Sequence, residues 1–233
     1  MAQKLYGIFD MDGTLVDTWN FHKEAWISIC KKYGPYRDAK EIGRIYDSDD
    51  SVGALAGKKK IEKLISMGLL CQQEKLPELD MVVDLKEKKV DKLIYEGAKE
   101  IPGASSFLKG LKKYGAITAL ATSARKEPGL KLLDKLNMKD YFDAFVFRED
   151  VANPSKPNPE YYFKAAGLID ADPEYTFAFE DSKPGFESVV EAQFKLIAVT
   201  KNKELARRYN PVLIIPDFTN LKVEQLESLI KAP

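Results

Sequence analysis

Six short apolar runs, at residues 5–9, 117–121, 144–147, 176–179, 196–199 and 212–215, constrain this chain more than any other feature. Each is bounded by polar or turn residues, and each has the length of a buried strand. Helical patterns lie between the later runs. Phe107, Leu108 and Leu111 share one face of residues 105–113, and Leu130, Leu133 and Leu136 repeat over 130–136, with Pro128 near the start. Asn158 as cap and Pro159 as first helical residue open a helix over 160–166, and Pro184 opens another that runs to Ala192. Strand and helix in alternation require parallel pairing. The expected fold is therefore α/β, a doubly wound, mostly parallel, Rossmann-like sheet.

Residues 18–97 break the rhythm and show helical spacing only. Phe21, Ala25 and Ile29, with Trp26, Cys30 and Tyr33, mark one amphipathic helix, and Trp19, Phe21 and Trp26 read as its core side chains. Val52, Leu55 and Ala56, then Ile61, Leu64 and Ile65, suggest a further pair; Val90, Leu93 and Ile94 suggest a last one. The expectation is an α/β core domain from residues 1–17 and 98–233, with an inserted all-helical cap domain at 18–97. The lysine runs 58–60 and 86–89 read as solvated helix faces.

Chain length allows such a core plus an insert: 233 residues, 45% of them apolar. Thirty-six basic and 36 acidic residues cancel, so nothing argues for nucleic acid or an anionic membrane as partner. No run approaches the roughly 20 apolar residues of a membrane span. Two cysteines, Cys30 and Cys71, make no disulfide framework. A cytoplasmic monomer is the expectation, although the sequence itself sets no oligomeric state. His22 is the single histidine, so any chemistry falls to carboxylates, hydroxyls and lysines.

The ends of the apolar runs carry those groups. Residues 5–9 stop in Asp10 and Asp12, followed by Gly13 and Thr14; 117–121 stops in Thr122 and Ser123; 176–179 stops in Glu180 and Asp181. Lys156 sits in N-P-S-K-P-N-P ahead of a helix. In a doubly wound sheet these ends share one crevice. Clustered carboxylates repel one another, which implies a cation, and oxygen ligands suit Mg²⁺. A hydroxyl and an ammonium then balance phosphoryl oxygens, so the set suits phosphoryl transfer.

D-M-D-G-T-L-V-D, A-L-A-T-S, K-P-N-P and F-E-D-S, in this order, resemble the four motifs of the haloacid dehalogenase-like superfamily. N-F-H-K-E-A-W (20–26), L-L-D-K-L-N-M-K-D-Y-F-D-A (132–144) and L-I-I-P-D (213–217) are similar to its β-phosphoglucomutase-like group of small-metabolite phosphatases and mutases. The resemblance implies Asp10 as nucleophile, Asp12 as acid/base, Thr122 as hydrogen-bond donor to the phosphoryl group and Lys156 as charge stabiliser. It also implies Mg²⁺ held by Asp10, the Asp12 carbonyl and Asp181, with Glu180 acting directly or through water. Gly13 and Ser123 would border the phosphate, and Ser123 would offer a backbone N–H. His22 and Lys89 in the cap would contact substrate. The implied partner is a small phosphorylated metabolite, a sugar or polyol phosphate, and the implied reaction is hydrolysis. The mutase has a cap arginine that grips a distal phosphate. The matching segment here, D-S-D-D-S (47–51), has none, which favours a phosphatase over a sugar-phosphate mutase. A catalytically inactive binding protein on the same fold is the alternative of another class.

Overall fold

The computed structural model describes residues 4–48, 57–153 and 156–231. The chain divides into two compact units, one of residues 1–17 and 99–233, the other of residues 18–98.

The first unit is a six-stranded parallel sheet. Its strands are β1 (Tyr6–Phe9), β4 (Ile117–Ala121), β5 (Ala144–Val146), β6 (Thr176–Glu180), β7 (Lys195–Val199) and β8 (Leu213–Ile215). Their order is β5-β4-β1-β6-β7-β8, with every pairing parallel. Each expected apolar run forms one of these strands, and the Rossmann-like α/β fold is the observed one. β1 is central, in register with β4 through Phe9–Leu120 and with β6 through Phe9–Phe179.

Period-two alternation explains why the centre is buried on both faces. Tyr6, Ile8, Ala119, Ala121 and Ala178 point into one apolar cluster, with Tyr161, Tyr162, Phe186 and Val189 from the covering helices. Those helices are α7 (Glu160–Leu168) and α8 (Lys183–Glu191). On the opposite face Phe9 stacks on Phe179 with ring centroids 4.2 Å apart, and Phe107 meets both rings edge-on. Phe107 comes from α5 (Ala104–Tyr114). Burial of a ring such as Phe179, which is fully inaccessible, contributes about 1.5–3 kcal/mol. A Cβ on Gly7 would sit 2.8 Å from the Phe9 ring, so the glycine makes room for that stack. The helix expected over 130–136 begins earlier, as α6 (Lys126–Lys135). α7 begins at Glu160 rather than Pro159. Asn158 Oδ1 accepts the Glu160 N–H at 2.9 Å, as a cap does.

Two further strands span two residues each. β2 (Val16–Asp17) and β3 (Lys99–Glu100) pair antiparallel, Val16 opposite Glu100 and Asp17 opposite Lys99. They bracket the second unit.

That unit is helical among its described residues: α1 (Trp19–Tyr33), α2 (Ala39–Tyr46), α3 (Gly57–Ser66) and α4 (Leu79–Gly97), besides one 3₁₀ turn at Gln73–Lys75. The helix expected from Val52, Leu55 and Ala56 lies outside the described residues. Trp26, Ile29 and Cys30 pack with Ile42, Tyr46, Ile61, Leu64 and Val82 into a core of its own. Two expectations fail here. Trp19 is 60% exposed, because it is the first residue of α1 and precedes by more than a turn the buried stripe of Ala25, Trp26, Ile29 and Cys30. Lys60 and Lys86 are only 5% exposed, so the two lysine runs are not wholly solvated faces. No helix among the described residues is long and apolar enough to cross a membrane.

Candidate active site

Because β1 lies between β4 and β6, their carboxyl ends adjoin. Asp10 continues β1, its N–H bonding the Phe179 carbonyl at 3.1 Å. The chain then turns sharply. The Leu15 and Val16 N–H groups both bond the Met11 carbonyl, and the Gly13 N–H bonds the Val16 carbonyl at 2.8 Å. Gly13 has φ +84°, and a Cβ there would overlap the Asp181 carboxylate. Glycine is required on both counts. Thr14, fully buried, donates from Oγ1 to Asp181 Oδ1 at 3.2 Å. The first turn therefore holds the carboxylate delivered by β6.

Lys156 reaches the same place from the loop after β5. Its ammonium bonds Asp10 Oδ1 at 2.7 Å and also pairs with Glu180 Oε1. Glu180, the last residue of β6 and wholly inaccessible, is heavily bonded. Oε1 also takes the Tyr162 hydroxyl at 2.8 Å. Oε2 accepts the N–H groups of Asp181 and Ser182 at 3.0 and 3.3 Å. Thr122, also inaccessible, follows β4, and its N–H bonds the Val146 carbonyl at 3.0 Å. Its Oγ1 accepts the Ala124 N–H at 3.1 Å. Ser123 is exposed beside it.

Carboxylate oxygens of Asp10, Glu180 and Asp181 come within 4.8 Å of one another. Among these groups alone, burial pushes the Asp10 carboxyl up to about 8. Lys156 opposes the shift, while the charges of Glu180 and Asp12 add to it. Burial and the charges of Glu180 and Asp10 push Asp181 well above the usual carboxylate range, against Lys156 and the Thr14 bond. Burial alone would lower the Lys156 ammonium, but its two carboxylate partners hold it well above its ordinary value. Repelling, desolvated, all-oxygen donors fit a hard divalent cation, which would draw the acids back to their ionised forms.

The other expected contacts, His22 and Lys89, belong to the helical unit. His22 Nδ1 lies 3.0 Å from the ammonium of Lys86, not of Lys89. Lys86 shares a face of α4 with Val82 and Val90 at four-residue spacing, whereas Lys89 is half-buried on the flank of that face. The sequence reading missed Lys86, and its i, i+4 register with Val82 and Val90 is the signal that would have turned it inward. Tyr162 was missed as well. It lies in an apolar helix stripe, and only its hydroxyl shows its connection to Glu180.

A central parallel sheet with acids gathered at the ends of β1 and β6 defines an α/β enzyme with an acidic centre. Residues 7–199 match the model of the haloacid dehalogenase-like hydrolases, and the chain belongs to that family. It is 33% identical over 192 residues, 82% of each chain, to the phosphorylated carbohydrates phosphatase of Thermotoga maritima. It is 26% identical to the β-phosphoglucomutase of Bacillus subtilis, covering 94% of this chain and 92% of that one. In fold it is similar to a haloacid dehalogenase-type hydrolase from Entamoeba histolytica. There the TM-score is 0.79 at 22% identity, over 99% of this chain and 100% of the other. The chain is accordingly an enzyme of the phosphatase type within the family.

Proposed function

We propose that this enzyme is a magnesium-dependent phosphatase of small phosphorylated carbohydrates that works through an aspartyl-phosphate on Asp10. The observation that carries the reading is the Lys156 ammonium, 2.7 Å from Asp10 Oδ1 and paired with Glu180. It aims the nucleophile and supplies positive charge where phosphoryl oxygens gather. Asp10, Asp181 and the Asp12 carbonyl would hold Mg²⁺, with Glu180 reached directly or through water. Bound there, the ion neutralises charge on the phosphoryl group.

Asp10 attacks phosphorus in line, and the bond to the leaving alcohol breaks. Asp12 gives that oxygen its proton. Asp12, now a carboxylate, takes a proton from water; the water attacks the aspartyl-phosphate, releasing phosphate and restoring Asp10. Thr122 and the Ser123 N–H orient the phosphoryl oxygens, and Gly13 leaves room for them. The helical unit acts as the cap that chooses the alcohol, with His22 and Lys89 as candidate contacts. Hydrolysis, rather than return of the phosphoryl group to a second hydroxyl, follows from the lack of arginine in residues 47–51. The similarity to a phosphatase named for phosphorylated carbohydrates supports this substrate class.

The test is phosphate release from a panel of hexose and hexitol phosphates with Mg²⁺, run beside Asp10→Asn. Equal release by the two proteins would sink the assignment of Asp10. Interconversion of a sugar phosphate without net phosphate release would replace hydrolysis by mutase chemistry.

A further inference from the structure

Tyr162 is a tyrosine where packing alone calls for phenylalanine. It lies on the inward face of α7 with Tyr161, Ala165 and Ala166, is fully inaccessible and belongs to the apolar cluster on one face of the sheet. A buried hydroxyl costs free energy unless it is bonded. This one donates to Glu180 Oε1 at 2.8 Å.

The same side chain meets the other half of the ion pair. The Lys156 ammonium pairs with Glu180 Oε1 and stands over the Tyr162 ring, 5.5 Å from its centroid. The ring walls the ammonium, and the hydroxyl fixes its counter-ion. Lys156 in turn bonds Asp10 Oδ1 at 2.7 Å, so the contacts run from an apolar helix stripe to the proposed nucleophile.

Glu180 is saturated as a result. An ionised carboxylate offers about four lone-pair directions. Oε1 accepts from Lys156 and Tyr162. Oε2 accepts from the N–H groups of Asp181 and Ser182 at 3.0 and 3.3 Å, and from the Ser182 hydroxyl at 3.3 Å. Among the described residues Asp10 and Asp181 each take one side-chain bond, from Lys156 and from Thr14, and retain lone pairs for a cation. The difference matters because oxygens of all three carboxylates come within 4.8 Å of one another.

We propose that Tyr162 is a positioning residue: its hydroxyl completes the set of donors that commits Glu180 to Lys156 and keeps that carboxylate from ligating the cation directly. Lys156 thereby stays aimed at Asp10. This deepens the phosphatase reading and rests on it for the reaction that Lys156 serves.

The test measures the Mn²⁺ affinity of the full chain without substrate, from the free-ion electron paramagnetic resonance signal, beside hydrolysis of p-nitrophenyl phosphate with Mg²⁺. Tyr162→Phe releases a Glu180 lone pair beside the ion. Mn²⁺ should bind about threefold or more tightly, because the ion gains a carboxylate oxygen. Over the same change kcat should fall about tenfold or more with KM little altered. Loss of a merely structural hydroxyl would loosen the ion or leave its affinity unchanged. The gain in affinity should vanish on a Glu180→Gln background. Tyr162→4-aminophenylalanine, which keeps a donor at the end of the ring, should restore both affinity and kcat. Circular dichroism melts confirm that each variant folds. An unchanged or weaker Mn²⁺ affinity in Tyr162→Phe overturns the proposal. So does an unchanged kcat, a gain that persists with Glu180→Gln, a rescue that fails, or a parent chain that binds no Mn²⁺. A parent that binds Mn²⁺ but leaves p-nitrophenyl phosphate intact would instead defeat the phosphatase reading, and the affinities would still decide the role of Tyr162.

Discussion

Gly185, in the first turn of α8, lies directly beneath the Glu180 carboxylate, so close that a Cβ on it would overlap the side chain. Glu180 is not free to yield, because both its oxygens are committed to Lys156, Tyr162 and the N–H groups of Asp181 and Ser182. Gly185→Ala should therefore cost about 2 kcal/mol or more in urea unfolding, as overpacking does. Phosphate release should drop at least tenfold, since Lys156 moves with Glu180. A variant with wild-type stability and turnover would show that the contact is loose.

Lys156 and Glu180 are a buried pair, and breaking such a pair on one side strands the other charge. Lys156→Met should cost about 3–5 kcal/mol. The double change Lys156→Met with Glu180→Gln should recover much of that stability and none of the activity. Chemical denaturation of the three variants beside the parent measures the coupling directly. Additive losses would mean that the two residues do not act as a pair.

Asp10 supplies a metal test whose sign is fixed by its environment. An acid shifted from 3.8 up to about 8 gives stability that is full below the unfolded value and is lost as pH rises through the folded one. At pH 8 in EDTA, Asp10→Asn should thus be more stable than the parent, by about 2 kcal/mol or several degrees in Tm. Mg²⁺ should raise the Tm of the parent and have little effect on Asp10→Asn or Asp181→Asn. Thermal melts with and without EDTA check both halves. A parent that Mg²⁺ leaves unchanged would argue against a cation at Asp10, Glu180 and Asp181.

His22 moves stability the other way. Its folded value is lowered from 6.5 to about 3, first by burial and then by Lys86. Between those values the unfolded chain binds a proton that the folded chain does not, so this contribution is full above pH 6.5 and is lost as pH falls toward 3. From pH 7.5 to 4.5 the parent should lose about 2 kcal/mol more than His22→Gln, whose amide oxygen can still accept from Lys86. Urea midpoints at the two pH values give the comparison, and the carboxylates, common to both proteins, cancel. Parallel pH profiles would mean that His22 is protonated at little cost.

Parts of the molecule governed by local pattern were legible in the sequence. Each long strand is a continuous apolar run because β1, β4 and β6 are covered on both faces. The carboxylates stand out because charge follows such a run abruptly. What escaped depends on tertiary contact. β2 and β3 span two residues each and exist only because distant segments meet. Tyr162 joins the site through one hydroxyl on an otherwise apolar face. Lys60 and Lys86 sit in charged runs whose composition points to solvent, and only helical phase, set by Ile61, Leu64, Val82 and Val90, turns them inward. Thr122 was placed at the end of β4 by sequence, but not the bond its hydroxyl accepts from Ala124.

The antiparallel rungs Val16–Glu100 and Asp17–Lys99 close the chain on itself before the helical segment begins. For the sheet, everything between them is a loop whose ends are already joined. The entropy of closing such a loop grows only with the logarithm of its length, so doubling the segment costs about 0.6 kcal/mol. The rungs thus insulate the acidic centre from whatever is spliced between them. Selection can lengthen, shorten or rewrite the intervening helices while the sheet that carries Asp10 keeps its registration.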